Sequence, residues 1–235
     1  MNDKNQVSVK NKIWEMINPF AFFMVCMAAC IFVIYIVLGS VYEFSGVSGI
    51  SLEEYVVQNS AIWCYLSFYA ITIVVKYKSI AYDKFKYGHK SANWKLWKCI
   101  AAAAIGFLAA YVISKIIMAS GLNEVFTTYS TTADSTFSGK PAVLLILITV
   151  ILGPIAEELI FRYMTFGRMR FYLGSKWAII LSSLLFGIYH ANMLQFIYCT
   201  LLGIVLAIIY DRSGNLWITI AAHMAINFAS ITTYF

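Results

Sequence analysis

Glu157 and Glu158 stand side by side in PAVLLILITVILGPIAEELIFR, a run from Pro141 to Arg162 that otherwise has the composition of a membrane-spanning helix. A carboxylate near the bilayer midplane costs about 3 kcal/mol or more, so such groups face a bundle interior or a water-filled cavity and mark working sites. Two histidines fall in other apolar runs: His190 ends SSLLFGIYH, and His223 lies in LWITIAAHMAIN. Asn227 follows His223 by four residues and shares its helix face.

These residue types suit hydrolysis of a peptide bond. Glu157 as general base, paired with His190, can take a proton from water and return it to the leaving amine. His223 and Asn227 can donate hydrogen bonds to the developing oxyanion. Glu157, His190 and His223 also make a two-His, one-carboxylate set able to hold Zn²⁺ or another divalent metal with an open position. The residues leave both mechanisms open. Glu158 has a supporting role in this reading, because Glu four residues before Arg162 is the favourable orientation for a helical ion pair. The blander account makes every polar group packing glue between membrane helices. It weakens when two glutamates, two histidines and an asparagine fall at compatible depth.

The composition says what must position these groups. Of 235 residues, 61% are hydrophobic and 12% charged, against about 25% charged in soluble domains. The pattern predicts an all-α, polytopic transmembrane bundle of about seven spans enclosing a polar cavity. The spans expected are 19–42, 56–75, 99–119, 142–166, 177–191, 194–210 and 216–234, of which the fifth and sixth are short. Residues 1–140 read as an N-terminal tail with spans one to three, and 141–235 as the catalytic core, all in one integrated membrane domain. From the helical rise, Glu157, His190, His223 and Asn227 lie about 14, 20, 11 and 17 Å from the same face, so one layer can hold all four.

The net charge of +6 is distributed as the positive-inside rule requires, not as a nucleic-acid surface. Lys76, Lys78, Lys84, Lys86, Lys90, Lys95 and Lys98 cluster between two spans, and Arg162, Arg168, Arg170 and Lys176 between two others. The interleaved Tyr82, Phe85, Tyr87, Trp94 and Trp97 then form an interfacial belt facing the lipid bilayer. This puts the N-terminus in the cytosol and Phe235 on the far side, with 126–138 as an uncharged external loop. His89 reads as a solvated residue of the basic loop. Cys26, Cys30, Cys64, Cys99 and Cys199 lie in apolar runs and read as packing residues.

Three motifs, EExxxR (Glu157, Glu158, Arg162), FxxxH (Phe186, His190) and HxxxN (His223, Asn227), follow in this order on consecutive apolar segments. Together they resemble the CPBP intramembrane proteases, which group CAAX prenyl endopeptidases with bacteriocin-processing and Abi-type membrane proteins. Over about residues 140–235 the resemblance implies an intramembrane endopeptidase in a bacterial cell membrane. Glu157 and His190 would activate water, and His223 and Asn227 would form the oxyanion site. Tyr163 departs from the family pattern, where a glycine commonly follows the arginine, and would narrow the cavity. The substrate implied is a small peptide or membrane protein, such as a pheromone, bacteriocin precursor or leader peptide. The alternative is a non-proteolytic regulator or immunity protein that binds a membrane-protein partner such as a sensor kinase.

Overall fold

A computed structural model of the chain describes residues 8–89, 93, 95–122 and 140–231. The 126–138 stretch, Lys90, Trp94 and Phe235 lie outside the described residues. What is described is helical, with no strand: α1 Val9–Ser45, α2 Leu52–Tyr77, α3 Ile80–Tyr87, α4 Leu96–Ala119, α5 Ala142–Leu173, α6 Ser175–Tyr189, α7 Met193–Ser213 and α8 Leu216–Ile231. Five of these, α1, α2, α4, α5 and α7, are long and apolar enough to cross a membrane, while α6 and α8 are shorter apolar helices. Within its most apolar window α5 is 56% buried, against 11% to 33% for the other four, so α5 is the central helix.

Helix α1 begins well before the expected Pro19. Ser8 caps it, accepting a hydrogen bond from the Asn11 N–H, and its 37 residues reach about 55 Å. Pro19 lies inside the helix and has no N–H to give the carbonyl four residues back, which is that of Glu15. Arg168 takes the vacancy, donating Nη1–H to the Glu15 carbonyl at 3.0 Å and to Asn18 Oδ1 at 2.8 Å.

The same guanidinium grips α3, a short helix that apolar periodicity could not reveal. Its Nε and Nη2 donate to the two carboxylate oxygens of Asp83 at 2.9 and 2.8 Å, and Asp83 is fully buried. The Glu15 carboxylate accepts from Lys86 Nζ at 2.6 Å and Tyr87 Oη at 2.8 Å, and also from the Tyr172 hydroxyl. One polar knot therefore fastens α1, α3 and the C-terminal end of α5.

His89 is buried, with 8% of its surface exposed, and is not the solvated residue its polar sequence neighbours suggested. Its ring stacks on Tyr163 at 4.1 Å and 9°. Gly167 leaves room for that ring, because a Cβ there would overlap it. Tyr163 is accordingly turned toward His89, and its hydroxyl donates to the Ile80 carbonyl at 3.1 Å. It takes no part in narrowing the cavity described below.

Helices α4 and α8 meet along small side chains. Ala102, Gly106 and Ala110, spaced by four, face Ile218, Ala222 and Ile226. A Cβ at Gly106 would meet the Ala222 carbonyl oxygen at 2.5 Å, so only glycine allows this approach. Close contact of this kind fixes α8 one residue before His223.

Two predictions follow from this packing. Burial, and then the positive charges of Arg170 and Arg168, push the His89 pKa down from 6.5 to about 4. Between those values the unfolded chain binds the extra proton, so folded stability is complete above about pH 6.5 and declines toward pH 4. Thermal unfolding of the purified protein should show that decline, and His89→Phe should flatten it. Arg168→Met leaves Asp83 buried without its partner and should cost about 3–5 kcal/mol, whereas adding Asp83→Leu should recover much of the loss. A double variant no more stable than the single one would contradict the assignment of that knot.

Candidate active site

The glutamates sit in an ordinary α-helical turn, Gly153–Glu158, flanked within α5 by π-helical stretches Ile146–Leu152 and Leu159–Phe166. Pro154 lacks the N–H that would bond the Val150 carbonyl, and the Gly153 N–H reaches back to the Ile148 carbonyl. The wide register thus ends where proline could not continue it. π-Helical segments recur at functional sites because they re-aim the side chains that follow.

Successive helical residues point about 100° apart, and the two carboxylates have different surroundings. Glu158 is fully buried: its Oε1 lies 3.1 Å from Arg162 Nη1 and 2.8 Å from His223 Nδ1. Arg162 is itself enclosed, with its guanidinium 4.3 Å above the Phe186 ring and Nη2 donating to the Gly203 carbonyl at 3.3 Å. Glu157 instead lines a cavity. Its Oε1 accepts from the Tyr69 hydroxyl at 2.9 Å, and its Oε2 lies 3.6 Å from His223 Nε2.

His223 stands between the two acids. A carboxylate paired with arginine can only accept, so His223 Nδ1 carries the hydrogen toward Glu158 and Nε2 is directed at Glu157. This is the arrangement in which a buried acid orients an imidazole. Behind it Arg162 balances Glu158.

His190 follows the last residue of α6, one position beyond the helix where the apolar run had placed it. Its Nδ1 is 2.8 Å from the Phe186 carbonyl. A carbonyl only accepts, so the hydrogen is on Nδ1 and the neutral ring has its lone pair on Nε2. Ala191, next in the chain, has a positive φ of 54°, a strained conformation for a residue with a Cβ. Asn192 then caps α7, accepting from the Leu194 and Gln195 N–H groups. Asn227 donates one amide hydrogen to the Thr149 carbonyl in the first π stretch at 2.8 Å, which leaves its second hydrogen available.

Glu157, His190, His223 and Asn227 all line one cavity of about 370 Å³, with Tyr69, Tyr189, Gln195 and Cys199 among its other walls. That volume is within the range of ligand pockets, about 300–1,000 Å³. Glu157 and His190 share the cavity, but the hydrogen-bonding partners of Glu157 and His190 are Tyr69 and the Phe186 carbonyl, respectively. Glu158 and Arg162 lie behind the wall.

The structure does not gather Glu157, His190 and His223, the possible Zn²⁺ set, into one cluster. Among the described residues no three His, Cys, Asp or Glu side chains are grouped to hold a metal ion. His190 and His223 each have Nδ1 held, by the Phe186 carbonyl and by Glu158, which leaves Nε2 as the nitrogen of each ring free to act.

Tyr69, Thr149 and Tyr189 are site residues that sequence reasoning missed. Tyrosines are common in membrane helices, and nothing in their spacing marks one as a partner of a residue 88 positions away. For Thr149 the contact is a backbone carbonyl, which has no sequence signal.

Residues 139–229, which hold all three motifs, match the model of the type II CAAX prenyl endopeptidase Rce1-like family. Over 191 residues the chain is 29% identical to "Putative membrane peptidase YdiL" of Bacillus subtilis (strain 168), a match covering 79% of this chain and 77% of that protein. No solved structure matches. From α5 into α8 the chain is thus similar to the CAAX prenyl endopeptidases, and over most of its length to a membrane peptidase.

Proposed function

We propose that the protein is an intramembrane endopeptidase in which Glu157 activates water for attack on a peptide carbonyl. The observation that carries this reading is that Glu157, His190, His223 and Asn227 open onto one cavity, while Glu158 and Arg162 are sealed behind it.

Water held by Glu157 loses its proton to that carboxylate as its oxygen attacks the carbonyl carbon, giving a tetrahedral oxyanion. His190 Nε2, with its lone pair, accepts from the same water and aligns it. The second amide hydrogen of Asn227 donates to the oxyanion, as does His223 when Nε2 is protonated. Glu157 then returns its proton to the amide nitrogen, the C–N bond breaks, and a carboxylate and an amine leave. Glu158 keeps His223 oriented throughout, and Arg162 balances the charge of Glu158.

The substrate on this reading is a small peptide or membrane-associated chain of a bacterial cell, such as a pheromone, bacteriocin precursor or leader peptide. The N-terminus is cytosolic, following the lysine and arginine distribution.

Comparative peptidomics of cells carrying the wild-type protein or Glu157→Gln tests the assignment and names the substrate. Glu157→Gln and His190→Ala should each lower turnover of the discriminating peptide by about 10²–10⁴-fold, and Asn227→Ala by about 10²–10³-fold. If Glu157→Gln and His190→Ala accumulate normally and process every peptide as the wild type does, the protease reading fails. Arg162→Leu should act differently, because it strands buried Glu158. It should cost about 3–5 kcal/mol of stability and appear first as a lower thermal midpoint.

A further inference from the structure

We infer that Tyr69 is a positioning residue for Glu157, which makes α2 part of the catalytic apparatus although it lies outside residues 139–229. The inference rests on the reading of Glu157 as the base. Tyr69 is 6% exposed and lines the cavity, and its hydroxyl donates to Glu157 Oε1 at 2.9 Å. The hydroxyls of Tyr69 and Tyr189 are 3.2 Å apart. A phenol has one hydrogen; since Tyr69 gives its own to Glu157, Tyr189 must donate to Tyr69. The order is therefore Tyr189 to Tyr69 to Glu157, a chain in which each bond strengthens the next.

The Tyr69 ring is confined on several sides. Phe68 lies 5.1 Å away and Tyr65 5.9 Å away, the latter nearly parallel at 23°. A Cβ on Gly153 would stand 3.4 Å from two of the ring carbons and 3.1 Å from the Ile148 carbonyl oxygen. Glycine at this position leaves the ring its place, four residues before the base it serves.

The consequence is a division between the two oxygens of Glu157. Oε1 is pinned by Tyr69, so Oε2 is the one presented toward His223 and the cavity. A free glutamate side chain has several rotatable bonds and would sample other directions. Without Tyr69 the base remains chemically intact but is aimed less often. The expected signature is a lower turnover number with little change in substrate affinity.

The test uses full-length protein in lipid nanodiscs and the peptide that separates wild type from Glu157→Gln in the peptidomic comparison. Tyr69→Phe should lower kcat about tenfold or more, leave KM within about twofold, and leave the thermal midpoint near wild type. Tyr189→Phe should lower kcat by a smaller factor and add nothing to Tyr69→Phe. Tyr69→Phe should also add nothing to Glu157→Gln, because the two act as a unit. A wild-type kcat in Tyr69→Phe, with Glu157→Gln inactive, overturns the positioning role and leaves Glu157 as the base. A loss confined to KM or to thermal stability overturns it equally. If Tyr69→Phe does not accumulate, Tyr189→Phe decides, and a wild-type kcat there overturns the inference. If no peptide separates wild type from Glu157→Gln, both readings fall together.

Discussion

Two neighbouring carboxylates in a hydrocarbon layer need partners from within the protein, because the lipid offers none. Within this site the buried cation is Arg162, and it pairs with Glu158. That choice settles the character of both acids. Glu158 has an arginine on one side and an imidazole on the other, with no outlet to the cavity. Glu157 receives one hydroxyl hydrogen and the neighbourhood of the same imidazole, and it opens onto free space. Two identical residues, one apart in sequence, thereby differ in accessibility and in partner chemistry. His223 is the shared element, oriented by the sealed acid and turned toward the open one.

Holding that arrangement requires helices closer together than ordinary side chains permit. Gly106 brings α4 against the Ala222 carbonyl, next to His223. Gly203 lies within contact of Ser183 and offers its carbonyl to Arg162. Proline plays the complementary part. The N–H that Pro19 lacks leaves the Glu15 carbonyl for Arg168, so an irregularity in α1 becomes an attachment point for the far end of α5. The helix bearing the glutamates is thus held at its centre through Glu158 to His223 and Arg162 to the Gly203 carbonyl, and at its C-terminal end by the polar knot.

Much of the site could be read in the sequence because its signals are local or periodic. The Glu158–Arg162 pair is an i,i+4 relation, and His223 and Asn227 share a face by the same spacing. Burial of carboxylates in an apolar run reveals itself through its cost. Partnerships across helices have no such signature. Tyr69 looks like any tyrosine of a membrane helix until α2 is placed beside α5. His89 looks solvated between Gly88 and Lys90 until Tyr163 and Gly167 close over it. Helix α3 escaped notice because a buried aspartate and flanking lysines give no apolar period, and its stability comes from Arg168. Hydropathy follows the apolar run, and it placed the end of α6 two residues late for that reason: His190 and Ala191 continue the run after the helix has ended.

The family match begins at residue 139, yet the cavity is walled from both sides of that point. Residues 139–229 supply the acids, the imidazoles and the amide, while Met27, Tyr65 and Tyr69 from α1 and α2 wall the same cavity. Chemistry that depends on charge needs buried pairing, and pairing of that kind tolerates few substitutions. A cavity wall made of aromatic and thioether groups tolerates more, because volume-conserving exchanges there cost little. The N-terminal helices can therefore change the shape offered to a substrate while the glutamate pair stays fixed. Tyr69 is the exception within that wall: its hydroxyl is tied to Glu157, so its ring admits replacement more readily than its oxygen does.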